Sequence, residues 1–412
     1  MEINLITFAS SLTQPQTLLS EHQQMLTAIE QKFKVNYLSP SDLAETPTTA
    51  PTYVFVASGG VEQMVVQAMD RLPAYVLLLA DGLKNSLAAS LEILSWMKAN
   101  GRRGHVIHGT PQDIADEVER TAAACQTLQS LQQQRVGVVG TPSSWLIASG
   151  VDYPRLQQRW GVAVEEIDLC EVVDAFRSIS PDAQETLASD LERQAERSVE
   201  PTHADLIEAL RLYQAVKSVV KNHNLNAFTL NCFDLIPLTK TTGCIALALL
   251  NQEGIPAGCE GDMQTLLTML LAQTATGQPT FMANPSTIVN HQTHEIILAH
   301  CTIAPSMTDR FVLRSHFESL SGVAIEGHLR PAPITLLKCG GRDMANYFLT
   351  EGRLIKTDDH PQRCRTQMHL QLDAPLDYFL HQSIGNHHVL LRGHQAKLLR
   401  PALEMLGATA VE

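Results

Sequence analysis

The chain has 412 residues, room for two or three domains at roughly 100–200 residues each. Hydrophobic residues make up 44% and charged residues 18%, a globular balance that excludes a disordered chain. Thirty Lys and Arg stand against 43 Asp and Glu, and the resulting net charge of −13, with no basic run, argues against nucleic acid and anionic membranes as partners.

The N-terminus, MEINLITFAS, reads as a first strand rather than an export signal, and no apolar run reaches the roughly 20 residues of a membrane span. A cytoplasmic protein is therefore expected. Its eight cysteines form no CxxC pair, so reduced thiols are expected rather than a zinc knuckle or a disulfide framework.

Over the first 110 residues, apolar runs alternate with helical stretches. Strands are predicted at 3–8, 35–38, 53–57, 75–80 and 105–108, and helices at 14–33, 61–71 and 84–99. Near-continuous apolar strands separated by helices indicate a parallel sheet covered on both faces. A long helix is predicted over 112–134, and RVGVVG at 135–140 restarts the strand–helix pattern. Strands follow at 162–168 and 227–232, with a helix-rich stretch between them and two helices over 242–273 flanking a Gly-rich connection. Beyond about residue 280, short strand candidates separated by Gly, Pro and Asp suit an antiparallel sheet or small barrel. The fold class is α/β: two flavodoxin-like α/β units followed by a mainly antiparallel, barrel-like C-terminal domain. The expected boundaries are 1–134, 135–285 and 286–412.

Three segments could carry chemistry. In GIPAGCEGDMQTLLTMLLAQ, residues 254–273, the apolar periodicity puts Glu260 and Asp262 at a helix N-terminus. Both acids could be caps there, favoured by free N–H groups and the helix dipole. Cys259 beside them reads as pocket wall rather than nucleophile. In PTFMANPSTIVNHQTHEIILAHC, Asn284 before Pro285 reads as a turn residue, and His300 ends a strand as either a core histidine or a ligand. In HQSIGNHHVLLRGHQ, Asn386, His387 and His388 lead into a strand, whose alternation lets only one histidine face a given site. Carboxylate, amide and imidazole together suit Mn²⁺, Mg²⁺ or Zn²⁺. Asp234, after another strand, is a candidate for substrate binding or a turn, and Thr241 and Thr242 for sugar contact or helix capping.

At these residues the chain resembles the L-fucose isomerase and L-arabinose isomerase superfamily. The resemblance rests on Glu260 in CEGD, on Asn284 in FMAN 24 residues later, on the AHC element at 299–301 and on Asn386-His387 in GNH. Over the N-terminal half it is architectural only. It implies a metal-dependent aldose–ketose isomerase that acts on a small sugar or sugar derivative through an ene-diol, with Mn²⁺ or another divalent cation as cofactor. Residue by residue, it implies Glu260 as ligand and acid/base, Asn284 and His387 as ligands, and His300 as a further ligand of the arabinose type. Asp262 or Asp234 would supply the second acid/base, because Asn284 stands where fucose isomerases carry an acid. Asp234, Asn386, His388 and Cys259 would line the substrate site. A homo-oligomer, trimer or hexamer, is implied, since family members build their sites at subunit interfaces. The alternative is a non-catalytic sugar-binding or regulatory protein of the same fold.

Overall fold

The structure, a computed structural model, describes residues 1–10, 20–44 and 49–411. The chain divides into two compact units, Met1–Gln129 and Ser130–Glu412. In the first unit, β1 (Glu2–Phe8), β2 (Lys34–Leu38), β3 (Thr52–Val56), β4 (Tyr75–Leu79) and β5 (Arg103–Ile107) form an all-parallel sheet in the order β2-β1-β3-β4-β5. β3, TYVFV, is buried along its whole length, as a central parallel strand covered on both faces must be. Val54 and Val56 pack with Val65, Ile93 and Met97 of the covering helices in one core. The helix predicted over 14–33 is found as Gln23–Glu30; positions 14–19 lie outside the described residues.

In the second unit, β6 (Arg135–Val139), β7 (Ala163–Ile167), β8 (Ala227–Leu230) and β9 (Ala257–Cys259) form a parallel sheet in the order β7-β6-β8-β9. β9 lies in the stretch that the sequence presents only as a Gly-rich connection. It is three residues long, and its apolar signal is too brief to read.

The remaining strands are antiparallel, apart from a short parallel addition at the end. β10 (Phe281–Asn290) pairs with β11 (Glu295–His300), while β12 (Arg310–Arg314) and β13 (Ala324–His328) make a separate two-stranded ribbon. β14 (Ala332–Gly340), β15 (Asn346–Asp358), β16 (Thr366–Leu372) and β17 (His388–Arg392) complete a six-stranded barrel in the order β14-β17-β10-β11-β16-β15, closed by the β14–β15 pairing. β18 (Thr409–Ala410) adds parallel to β15. The fold class is therefore the expected one, parallel α/β units with a closed antiparallel barrel.

Asn284 is not a turn residue. It lies inside β10, opposite Ala299, and the strand runs on through Pro285 to Asn290. The register shifts between Pro285 and Thr287, and a bulge of this kind is where a strand tolerates proline. Thr241 and Thr242 do not cap the helix Cys244–Gln252; its N-cap is Gly243, with no side-chain bond.

Candidate active site

Strand pairing within the second unit assembles the site. β10 lies between β11 and β17, in registers that set Asn284 against Ala299 and Ala283 against His388. His300 and His387 are the chain neighbours of those partners, so they arrive on either side of Asn284. Glu260 comes from the parallel sheet, in the turn after β9. It holds a left-handed backbone, φ +63°, rare and strained for a residue with a Cβ. Gly261 follows at φ +71°, and a Cβ there would stand 2.6 Å from Pro142 Cα, so only glycine fits this turn.

One ligand atom each from Glu260, His300 and His387 falls within 4.8 Å of the others. Glu260 and His300 line a cavity of about 140 Å³ together with Asn284. Phe233, Phe317 and Thr242 also line it, as do Cys232, Cys244, Cys259, Cys301 and Cys364. The Thr242 hydroxyl is buried and has no partner. Cys259 Sγ lies 3.1 Å from Cys232 Sγ; that neighbour, together with burial, holds the Cys259 thiol well above the usual range, so this thiol stays neutral.

Behind His387 stands a wholly buried polar chain. Asp262 caps the helix Met263–Thr276, accepting from the Thr265 N–H at 2.9 Å and the Thr265 hydroxyl at 2.7 Å. Its Oδ2 also takes the His387 Nδ1–H at 2.9 Å. Lys338 Nζ lies 4.0 Å from that oxygen and donates to Thr265 Oγ1 at 3.0 Å. Asp262, Lys338 and His387 are each 0% exposed. Burial pushes the Asp262 carboxyl up, but the Lys338 charge and the His387 bond more than offset it, so Asp262 stays ionised. Its oxygens are engaged and it does not line the cavity, an arrangement suited to orienting His387 rather than to exchanging protons with a substrate.

Burial disfavours a charge on His387, yet its bond to Asp262 and the nearby Glu260 carboxylate outweigh this and raise it to about 9. His300 behaves oppositely: burial, then the nearby His387 charge, lowers it to about 4. Glu260 is pushed up by burial but held below the usual carboxylate range, chiefly by His387.

The remaining expected site residues lie around this centre. Asn386 is exposed, and its amide donates to Asn284 Oδ1 at 2.7 Å. His388 points away: its Nδ1–H donates to Asn386 O at 2.8 Å and its Nε2 accepts from the Tyr378 hydroxyl at 3.0 Å. Asp234 is exposed, bonded to Asn231, and does not line the cavity.

The residues present fit a divalent cation. With Nδ1–H committed to Asp262, the buried His387 Nε2 is left without a partner and lies 3.6 Å from Glu260 Oε1. His300 Nδ1 pairs with Thr302 Oγ1 at 3.0 Å, which frees Nε2 in the tautomer that donates from Nδ1. A carboxylate on the distal nitrogen of a histidine is the usual support for a metal-binding imidazole.

The chain has recognisable relatives among known proteins. A family model described as the L-arabinose isomerase central domain matches residues 151–277. A sulfoquinovose isomerase of Clostridium sp. (strain MSTE9) is 27% identical over 306 residues, covering 70% of this chain and 67% of the relative. At this low identity, the two matches point to the L-arabinose/L-fucose isomerase-like superfamily. A second sulfoquinovose isomerase, from Alkalicoccus urumqiensis, is 22% identical over 346 residues, or 80% of this chain and 76% of the relative. Among the described residues, no helix is long and apolar enough to cross a membrane.

Two participants escaped the sequence reading. Trp145 donates its indole N–H to Glu260 Oε2 at 2.6 Å, across 115 residues of chain. Its loop motif, GTPSSW, carries no chemical signature. Lys338 was legible only as a lysine inside the apolar run ITLLKCG, where an unpaired charge would be costly.

Proposed function

We propose that the chain is a metal-dependent aldose–ketose isomerase that acts on a small sugar or sugar derivative through an ene-diol. The isomerase class follows from the superfamily and from the named activity of the relatives. Metal dependence, substrate and residue roles are the proposal. The observation that carries it is the convergence of Glu260, His300 and His387 within 4.8 Å, the first two on the cavity wall.

Glu260, His300 and His387 would hold the cation, with Asn284 offering an amide oxygen. When bound, a divalent cation supplies Lewis acidity toward the sugar oxygens at C1 and C2. Glu260 takes the proton from C2 as a carboxylate and returns it to C1 as an acid, while the O2 hydroxyl proton is exchanged to O1 through water; the reverse reaction exchanges the two carbons. Asp262 keeps the His387 Nδ1 protonated and the ring fixed. Thr242, Asn284 and Cys259 line the space a sugar would fill. A homo-oligomer, trimer or hexamer, belongs to the same proposal, and sedimentation tests it.

The test is turnover of a panel of aldoses and ketoses by protein stripped of metal and then supplied with Mn²⁺. The panel includes sulfoquinovose because the relatives carry that name. Interconversion that depends on Mn²⁺ is expected with at least one sugar. Equal activity with and without metal would remove the cation from the proposal, and no activity on any sugar would remove the substrate class.

A further inference from the structure

Glu260 divides its oxygens between two neighbours: Oε1 faces His387 Nε2 at 3.6 Å, and Oε2 accepts the Trp145 indole N–H at 2.6 Å. A carboxylate at the end of a flexible side chain rotates freely unless both oxygens are claimed, and here the second claim is a single donor. Trp145 is 52% exposed, so burial does not explain its place. Its loop is nevertheless fixed. Thr141 O accepts from Asn231 at 2.8 Å, Ser143 N donates to Glu260 O at 2.9 Å, and Ala148 O accepts from Gln264 at 3.1 Å. The indole also stands edge-on to Phe233, with ring centroids 4.9 Å apart. The loop is thus bonded to the backbone and the side chain of one residue, Glu260.

We infer that Trp145 is a positioning residue, whose N–H claims one oxygen of the Glu260 carboxylate and so sets its rotation, leaving the other oxygen to serve the Glu260–His300–His387 cluster. The inference rests on the isomerase reading, in which Glu260 is both ligand and acid/base. Trp145 itself exchanges no proton.

The experiment compares wild type with Trp145→Phe, which keeps a ring against Phe233 and removes only the donor. A hydrogen bond to a charged group is worth enough to predict a fall in kcat of about tenfold or more. KM should stay within about threefold, Mn²⁺ should bind several-fold more weakly, and the melting temperature should hold. A merely structural tryptophan would lower the melting temperature without this split. Indole emission of the metal-free protein gives an independent readout. It should shift between wild type and Glu260→Gln, and the same substitution made in Trp145→Phe should leave the emission of Trp96 and Trp160 unmoved. Parental kcat and Mn²⁺ affinity in Trp145→Phe would overturn the inference. If wild type neither binds Mn²⁺ nor turns over any sugar, the isomerase reading fails, and emission alone decides the contact: a shift supports it and no shift overturns it.

Discussion

Replacing Asp262 with Asn removes one charge and almost no volume from a pocket that water does not reach. The carboxylate accepts two bonds from Thr265 and one from His387, and it faces Lys338 at 4.0 Å. An amide offers one oxygen to three donors and turns its own N–H₂ toward the rest. Breaking a buried ion pair from one side costs about 3–5 kcal/mol, and each bond to a charged group contributes about 1.5–3. The sum is capped because Lys338, already lowered by burial, can give up its proton when Asp262 is gone. A loss of about 3–5 kcal/mol is therefore expected, together with Mn²⁺ affinity weaker by about 10–100-fold as His387 loses its support. Urea denaturation, read through the buried Trp160 in the same unit, measures the first, and Mn²⁺ titration followed by EPR measures the second. Adding Lys338→Met should recover part of the stability, since the stranded cation is then absent. A loss under about 1 kcal/mol with unchanged Mn²⁺ affinity would refute the reasoning, because the buried carboxylate would then organise nothing.

Three further outcomes are expected. His388 is lowered to about 3 and His300 to about 4, both first by burial, so the unfolded chain binds protons that the folded one refuses. Stability should fall as pH drops below about 6.5, by on the order of 3 kcal/mol per histidine, and His388→Gln should flatten that limb in pH-dependent urea midpoints. His387, raised to about 9, acts in the opposite sense in metal-free protein: its contribution is complete below about 6.5 and lost as pH rises toward 9. Asn284→Asp keeps the acceptor for Asn386 and adds a charge at the cavity, so Mn²⁺ should bind about tenfold tighter or more by calorimetric titration. Gly261→Ala, with φ +71° and Pro142 Cα at 2.6 Å, should cost about 1–3 kcal/mol or more and lower turnover by displacing the Trp145 loop; wild-type kinetics would count against that loop's role.

Local pattern made the architecture legible. Continuous apolar runs such as YVLLL and RVGVV became parallel strands because both faces of those sheets are covered. Asp262 was legible as a cap because capping is decided within one turn of helix. Asn284 was misread for the opposite reason. Asn-Pro is a local turn signal, and the two neighbouring barrel strands overrode it by accommodating proline at a bulge. The candidate site was visible as separate motifs, but not as a cluster. Its geometry depends on β10 lying between β11 and β17, which no spacing along the chain encodes. Trp145 and Lys338 meet their partners only through tertiary structure, 115 and 76 residues away, so nothing near them in the chain announces a role.

Hydrogen transfer at the Glu260–His300–His387 centre is the central claim to test. NMR of metal-stripped protein with its sugar in D₂O, with and without Mn²⁺, reads that transfer directly as deuterium entering at C1 and C2. Exchange that requires Mn²⁺ and disappears in Glu260→Gln is the predicted result. Exchange undiminished in Glu260→Gln, or interconversion with no solvent deuterium incorporated by wild type, would contradict a proton carried by this carboxylate.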